Sequence, residues 1–258
     1  MFRNARLPPF PSLKPPTWVL GLALPLTIPI AYLLYLNRAT SHHTQTQTGL
    51  RDRKRCVSTI PPDVHRPVTL PKDVENEDSE WVLTYERVVS KPVQLPTSSS
   101  PSSQPPERIS SSLTRYVRAT MTAFSWTPQA FLLWASVITN SRLRRTFDAK
   151  FIRELDFQDG DRVNGFWKVV YRGDGGVAGT ERVEMALDAP PGYRGPVVRG
   201  VVVAGVETVE DGRAVFVNET WMWRRQGEGA VLLEGVTGRW LHGVLAEWLV
   251  VKGMRAVC

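Results

Sequence analysis

The sequence predicts an α+β domain preceded by one membrane-spanning helix. Three observations predict it: an uncharged apolar run over residues 17–36, alternating strand-like runs separated by Gly, Pro and Asp turns between 163 and 224, and a broad apolar helical stripe that closes the chain. The first is long enough to cross a bilayer. The other two describe a sheet with a helix to cover it.

The run TWVLGLALPLTIPIAYLLYL (17–36) has no charge over twenty positions. At about 1.5 Å rise per residue, that length spans roughly 30 Å, the hydrocarbon thickness of a bilayer. Trp18, Tyr32 and Tyr35 stand near its ends, where amphipathic rings favour the headgroup zone. Cleaved leaders have a shorter apolar region and a small-residue exit, which Asn37-Arg38-Ala39 does not supply. Residues 1–16 then form a short N-terminal tail. Three Lys/Arg precede the run and five follow it up to Arg55, which favours a single-pass protein with a cytosolic C-terminal domain.

Residues 37–80 read as a polar tether, with SHHTQTQT, three prolines between 61 and 67, and the acidic ENED. From 81 to 258 the composition is that of one α+β domain. WVLTYERVV (81–89) alternates, with Trp81, Leu83, Tyr85 and Arg87 on one face. LPTSSSPSSQPP (95–106) is low-complexity and reads as a disordered loop. Ile109, Leu113, Tyr116, Val117, Met121 and Phe124 recur at helical spacing. Thr127-Pro128 supplies an N-cap and first-turn pair for an apolar helix, QAFLLWASVI. Phe147, Phe151, Ile152 and Leu155 give a third helical piece. Strand runs follow at 163–171, 181–187, 197–207 and 213–224, divided by turns at 173–176, 190–192 and 211–212 that suit antiparallel hairpins. A short run, 230–234, is expected to pair next. Trp240, Leu241, Val244, Leu245, Trp248, Leu249 and Met254 then line one helix face.

Charge narrows the partners. The chain carries a net charge of +7, but residues 1–55 hold eight Lys/Arg against one acid, Asp52, and the remainder holds 24 of each sign. The folded part is neutral, so it has no basic field for a phosphate backbone, and nucleic acid is excluded as a partner. The RDRKR cluster at 51–55 suits anionic headgroups of a lipid bilayer.

The chemistry is sparse. Gly173, Gly175, Gly176 and Gly179 lie between two strands and read as a hairpin, not a nucleotide loop. Of the four histidines only His242 lies in the domain, and it has no second ligand at metal spacing. No nucleophile elbow and no cofactor fingerprint is present. Paired His-x-x-His-Cys motifs are absent too, which excludes the fungal oxidases that carry them. Neither cysteine, Cys56 or Cys258, belongs to a disulfide framework.

Two candidate catalytic residues remain. Glu219 lies on a strand face with Val215, Val217, Trp221 and Trp223. If that face is buried, desolvation raises its pKa and suits it to proton transfer; otherwise it faces outward or pairs with an arginine such as Arg182. The opposite face, Phe216, Asn218, Thr220 and Met222, is the other choice for an interior wall. His242, early in the last helix, is either a helix-surface histidine or the partner of Glu219 in an acid–base pair. Trp167, Trp221, Trp223 and Asn218 are the candidate ligand-binding residues. The eight tryptophans after residue 80 suit either an aromatic-walled cavity or a solid aromatic core.

The order strand, helices, antiparallel strands, long last helix resembles the helix-grip (START-like, Bet v 1-like) superfamily over about 80–258, in which a curved sheet wraps the final helix around a cavity. A hot-dog fold or a two-layer sandwich also suits that order. The phrases SWTPQAFLL, LDFQDGDRVNG, ERVEMALDAPPGYRGP, FVNETWMWRR and GRWLHGVLAEWLVVKG are similar to those of membrane-anchored fungal proteins, some of secondary-metabolite gene clusters. The resemblance carries no catalytic residues to transfer. The helix-grip order, the tryptophans, Glu219 and the anchor together suit a membrane-anchored cavity protein that binds an apolar metabolite, with acid–base isomerisation, cyclisation or dehydration as the chemistry such a site could add. The alternative is a non-catalytic accessory or scaffold protein whose apolar 128–138 helix meets a protein partner.

Overall fold

The computed structural model describes residues 31–95, 105–176, 179–191, 193, 198–209 and 212–258. Helix α1 covers 31–41 and leads into β1 (Thr44–Asp52), β2 (Val57–Ser58) and the single turn α2 (Lys72–Glu75). Strands β3 (Trp81–Ser90) and β4 (Val93–Gln94) precede the helices α3 (Pro105–Phe124), α4 (Pro128–Ser136), α5 (Ser141–Arg145) and α6 (Ala149–Glu154). Then come β5 (Arg162–Val163), β6 (Trp167–Asp174), β7 (Thr180–Leu187), β8 (Arg199–Thr208) and β9 (Arg213–Arg225). A 3-10 turn (Leu232–Glu234) leads to the closing helix α7 (Val236–Val257).

The strands form one antiparallel sheet in the order β2-β1-β3-β9-β8-β7-β6-β5, with β4 on the far end of β9. Strands β6, β7, β8 and β9 follow one another as an antiparallel meander. The long-range closure is β3 against β9, where Tyr85 opposes Trp221, Glu86 opposes Thr220 and Arg87 opposes Glu219.

Both sheet faces are covered. Helices α3 and α7 pack on one face, where Tyr116, Val117, Ile152, Met185, Phe216 and Val250 form the larger core. Gly253 allows the close crossing of α7 over α3, since a Cβ there would stand 2.4 Å from the Tyr116 ring. On the opposite, back face, Leu83, Tyr85, Val203, Trp221 and Trp223 pack under Leu70 and Val74, with Ile60 and Val64 beside them. Glu184, fully buried, pins this cover: it accepts hydrogen bonds from the Val68 and Thr69 amides at 2.8 and 2.9 Å and from the Thr69 hydroxyl at 2.6 Å.

The expected membrane-spanning helix is corrected. Among the described residues no helix is long and apolar enough to cross a membrane. Residues 17–30 of the expected span lie outside the described residues. Its last part belongs to α1, which runs on through Asn37 and Arg38 and docks its end on the domain: the Thr40 hydroxyl donates to Glu247 of α7 at 2.9 Å.

The polar segment 37–80 is not a simple tether. TQTQTGLRD becomes β1 because its backbone pairs residue by residue with β3, from Thr44 opposite Ser90 to Arg51 opposite Leu83. Most of the expected loop 95–106 lies outside the described residues, and α3 already begins at Pro105. The expected strand at 230–234 is instead the 3-10 turn, held by a Val231 amide to Glu234 bond of 2.9 Å. Thr127 caps α4 as its sequence predicts, accepting from the Ala130 amide at 3.1 Å with Pro128 in the first turn.

Candidate functional site

A cavity of about 650 Å³ lies between the helical face of the sheet and helices α3, α4 and α7. That volume is within the range of small-molecule sites. Its wall is mostly apolar, with Val117, Met121, Phe166, Met185, Leu245 and Leu249 among the lining residues. Polar groups also line it, among them Thr120, Gln129, Tyr193 and the charged Arg199, Arg224 and Glu228. His242 comes from α7, and Asn218 and Thr220 come from the cavity face of β9.

His242 does not stand alone. Its Nδ1 lies 2.6 Å from Oε1 of Glu86, a carboxylate on β3 that is only 2 % exposed. A carboxylate accepts and does not donate, so Nδ1–H is the donor in this pair. In the neutral ring, that fixes the tautomer and makes Nε2 the atom with the lone pair. Among the described residues the second oxygen of Glu86 is buried without a hydrogen-bond partner. It lies beside Gly243, where a Cβ would come within 3.7 Å of it. A side chain's first carbon there would make only an ordinary contact with the acid. In the ladder Glu86 faces Thr220, which places their Cβ atoms about 4.5–5.5 Å apart. Base, orienting acid and two neutral polar side chains thus meet at one edge of an apolar space.

Glu219 and His242 are not brought together. Glu219 lies on the back face, buried, paired with Arg87 and accepting from Trp221 Nε1 at 3.1 Å. Arg87 also reaches Glu207 at 2.7 Å, so one guanidinium sits between two carboxylates. Burial pushes the Glu219 carboxyl above its ordinary range while Arg87 pulls against it. The arginine is Arg87 rather than Arg182, whose ion-pair partner is Glu184. The strand period placed Glu219, Trp221 and Trp223 on one face correctly, but that face meets the 60–75 cover and not the cavity.

Of the candidate ligand residues, Asn218 and Trp167 border the cavity. Trp221 also borders it, yet its ring is fully buried on the back face, 4.4 Å from the Tyr85 ring. Trp223 is in the back-face cluster and away from the cavity. Most of the tryptophans therefore serve packing or lie at the surface, as Trp126 does at 83 % exposure.

The residue missed from sequence is Glu86. The signal was present: in 81–89 the acid falls on the face of Val82, Thr84 and Val88, opposite the aromatic face. An acid on an otherwise uncharged strand face is the same sign that drew attention to Glu219.

Among the described residues no group of three His, Cys, Asp or Glu is arranged to hold a metal ion. No family model, curated protein or solved structure matches this chain. The functional argument therefore rests on the cavity and its polar edge.

Proposed function

We propose that this chain binds an apolar small molecule in the sheet–helix cavity and moves a proton on it by acid–base catalysis, as an isomerase, cyclase or dehydratase. One observation carries the reading: the His242–Glu86 pair, 2.6 Å apart and set at the wall of an apolar cavity of about 650 Å³. A neutral imidazole oriented by a buried carboxylate is a general base that returns its proton as a general acid. The apolar wall supplies affinity and keeps water from the base.

The test needs no knowledge of the natural substrate. Ring-opening of 5-nitrobenzisoxazole requires one proton removed from carbon and no co-reactant. The wild-type chain should accelerate it over buffer, and His242→Gln should lose that acceleration by roughly 10²–10⁴-fold, the usual contribution of a positioned base. Equal rates for the two proteins would overturn the reading.

A second reading, a non-catalytic accessory protein, is favoured by the surface around α4, where Phe131 and Leu132 are 62 % and 69 % exposed. Such a patch is a protein contact surface by its chemistry. Under it, His242→Gln leaves product output in the native cell unchanged, while Phe131→Ser with Leu132→Ser removes it.

A further inference from the structure

Asn218 and Thr220 stand two residues apart on the cavity face of β9, 7 % and 5 % exposed. Among the described residues neither side chain makes a hydrogen bond, and their polar atoms open to the cavity rather than being sealed in the wall. An apolar ligand filling the cavity would leave such a group without a partner, at a cost of about 1–3 kcal/mol. Two of them on one strand face, beside a base, are therefore placed for a ligand atom that accepts. Thr220 lies opposite Glu86, and Glu86 holds His242, so the accepting atom would sit next to the carbon that faces the base.

Resting on the proton-transfer reading above, we propose that Asn218 and Thr220 hold a carbonyl oxygen, and that the substrate is an apolar ring ketone whose α-hydrogen faces His242. Nε2 of His242 removes the α-proton. The C–H electron pair becomes the new C=C bond, and the carbonyl π pair moves to oxygen, where Asn218 Nδ2–H and Thr220 Oγ–H donate to the growing negative charge. The imidazolium, paired with Glu86, returns the proton to the same carbon or to another carbon of the conjugated system. Nothing is oxidised or reduced, and the base is regenerated. A carbonyl is preferred over a carboxylate because, among the described residues, the arginines that border the site are paired: Arg199 with Glu228 at 2.7 Å and Arg224 with Glu234 at 2.6 Å.

The experiment compares two ligands that differ only by the oxygen, tetralin and 2-tetralone. Dissociation constants are measured by titration calorimetry on the full chain. Wild type should bind both, and the ketone more tightly. Asn218→Leu with Thr220→Val should weaken 2-tetralone by tenfold or more and leave tetralin unchanged, which also reports an intact cavity. Restoring a hydroxyl in that double variant, with Ser in place of Val at 220, should recover part of the ketone preference. In D₂O, wild type should speed α-deuteration of 2-tetralone. His242→Gln should lose the exchange and keep the ketone preference, whereas the Asn218/Thr220 double variant loses both. Equal weakening of both ligands, or an unchanged ketone affinity, would overturn the carbonyl assignment while tetralin binding leaves the cavity reading standing. Failure of wild type to bind either ligand would overturn both.

Discussion

Replacing Glu86 with Gln separates a catalytic acid from a structural one, because the two roles move activity and stability in opposite senses. The side chain keeps its shape and loses its charge. Hydrogen bonds to charged groups are worth about 1.5–3 kcal/mol and neutral ones about 1 kcal/mol. The 2.6 Å contact to His242 therefore loses about 1–2 kcal/mol of support for the imidazolium. At about 1.4 kcal/mol per factor of ten, ring-opening of 5-nitrobenzisoxazole should fall about tenfold. Stability should not fall with it. Glu86 is 2 % exposed, and among the described residues its second oxygen has no partner. Removing that charge relieves a desolvation cost, and for a chain this long each kcal/mol moves Tm by about 2–4 °C. Turnover and calorimetry on the one variant give the answer. A Tm lowered by many degrees with proportionate loss of turnover would make Glu86 a packing residue, and unchanged turnover would remove it from the chemistry.

Three further outcomes follow from named contacts. Glu219→Gln should leave tetralin affinity and ring-opening within about twofold, since Glu219 is on the back face and Arg87 retains Glu207; Tm should shift little, because burial already works against the ionised acid. A strong loss of binding would refute the face assignment. Gly253→Ala would put a Cβ 2.4 Å from Thr120 Oγ1 and from the buried Tyr116 ring, whose hydroxyl donates to Val217. Overpacking of about 1–3 kcal/mol outweighs the gain of about 1 kcal/mol for Ala in a helix, so thermal unfolding should come several degrees earlier. At Glu234 burial disfavours ionisation, but two bonds from Arg224 and the Val231 amide outweigh it and hold the carboxyl below its ordinary range. The unfolded chain therefore takes up that proton first, so the stabilisation is full above the unfolded value near about 4.3 and is lost as pH falls through the folded one. Glu234→Gln should lower Tm at pH 7 and flatten the acid limb of a stability–pH curve.

Periodicity made much of the fold legible. The Thr127-Pro128 cap is local chemistry, and local chemistry is what a sequence displays. The expected stripe of α7 holds only in part: Val244, Leu249 and Met254 are buried, while Trp240 and Leu241 are exposed and Ala246, Val250 and Val257 take their place in the core. Strand β1 escaped because its pairing is a matter of backbone bonds, and Thr44, Thr46 and Gln47 show no apolar alternation. The back-face cover escaped for a related reason: Ile60, Val64, Leu70 and Val74 are too sparse to register as an element, yet they lie over or beside the back-face core. Strand β9 exposed the limit of face reasoning. Residues 214–221 are buried on both sides, so alternation sorts the side chains into two sets without saying which set meets a cavity. The His242–Glu86 contact spans 156 residues of chain and depends on where α7 crosses β3, which no local pattern encodes.

That dependence also explains why the site is built where it is. Strand β3 leaves the sheet into the helices and rejoins the story only when β9 comes back to pair with it. The β3–β9 ladder joins strands far apart in the chain, and it sets Glu86 opposite Thr220. Helix α7 follows β9 directly through the 3-10 turn and packs on β3, so the element that carries His242 lies over that ladder. Arg224 with Glu234 ties the connection. A base, its orienting acid and two unpaired donors then converge without any of them being near in sequence to Glu86. Cutting the Arg224–Glu234 tie would loosen the registration of α7 on the seam, which is a sharper route to lost proton transfer than any change to the apolar wall.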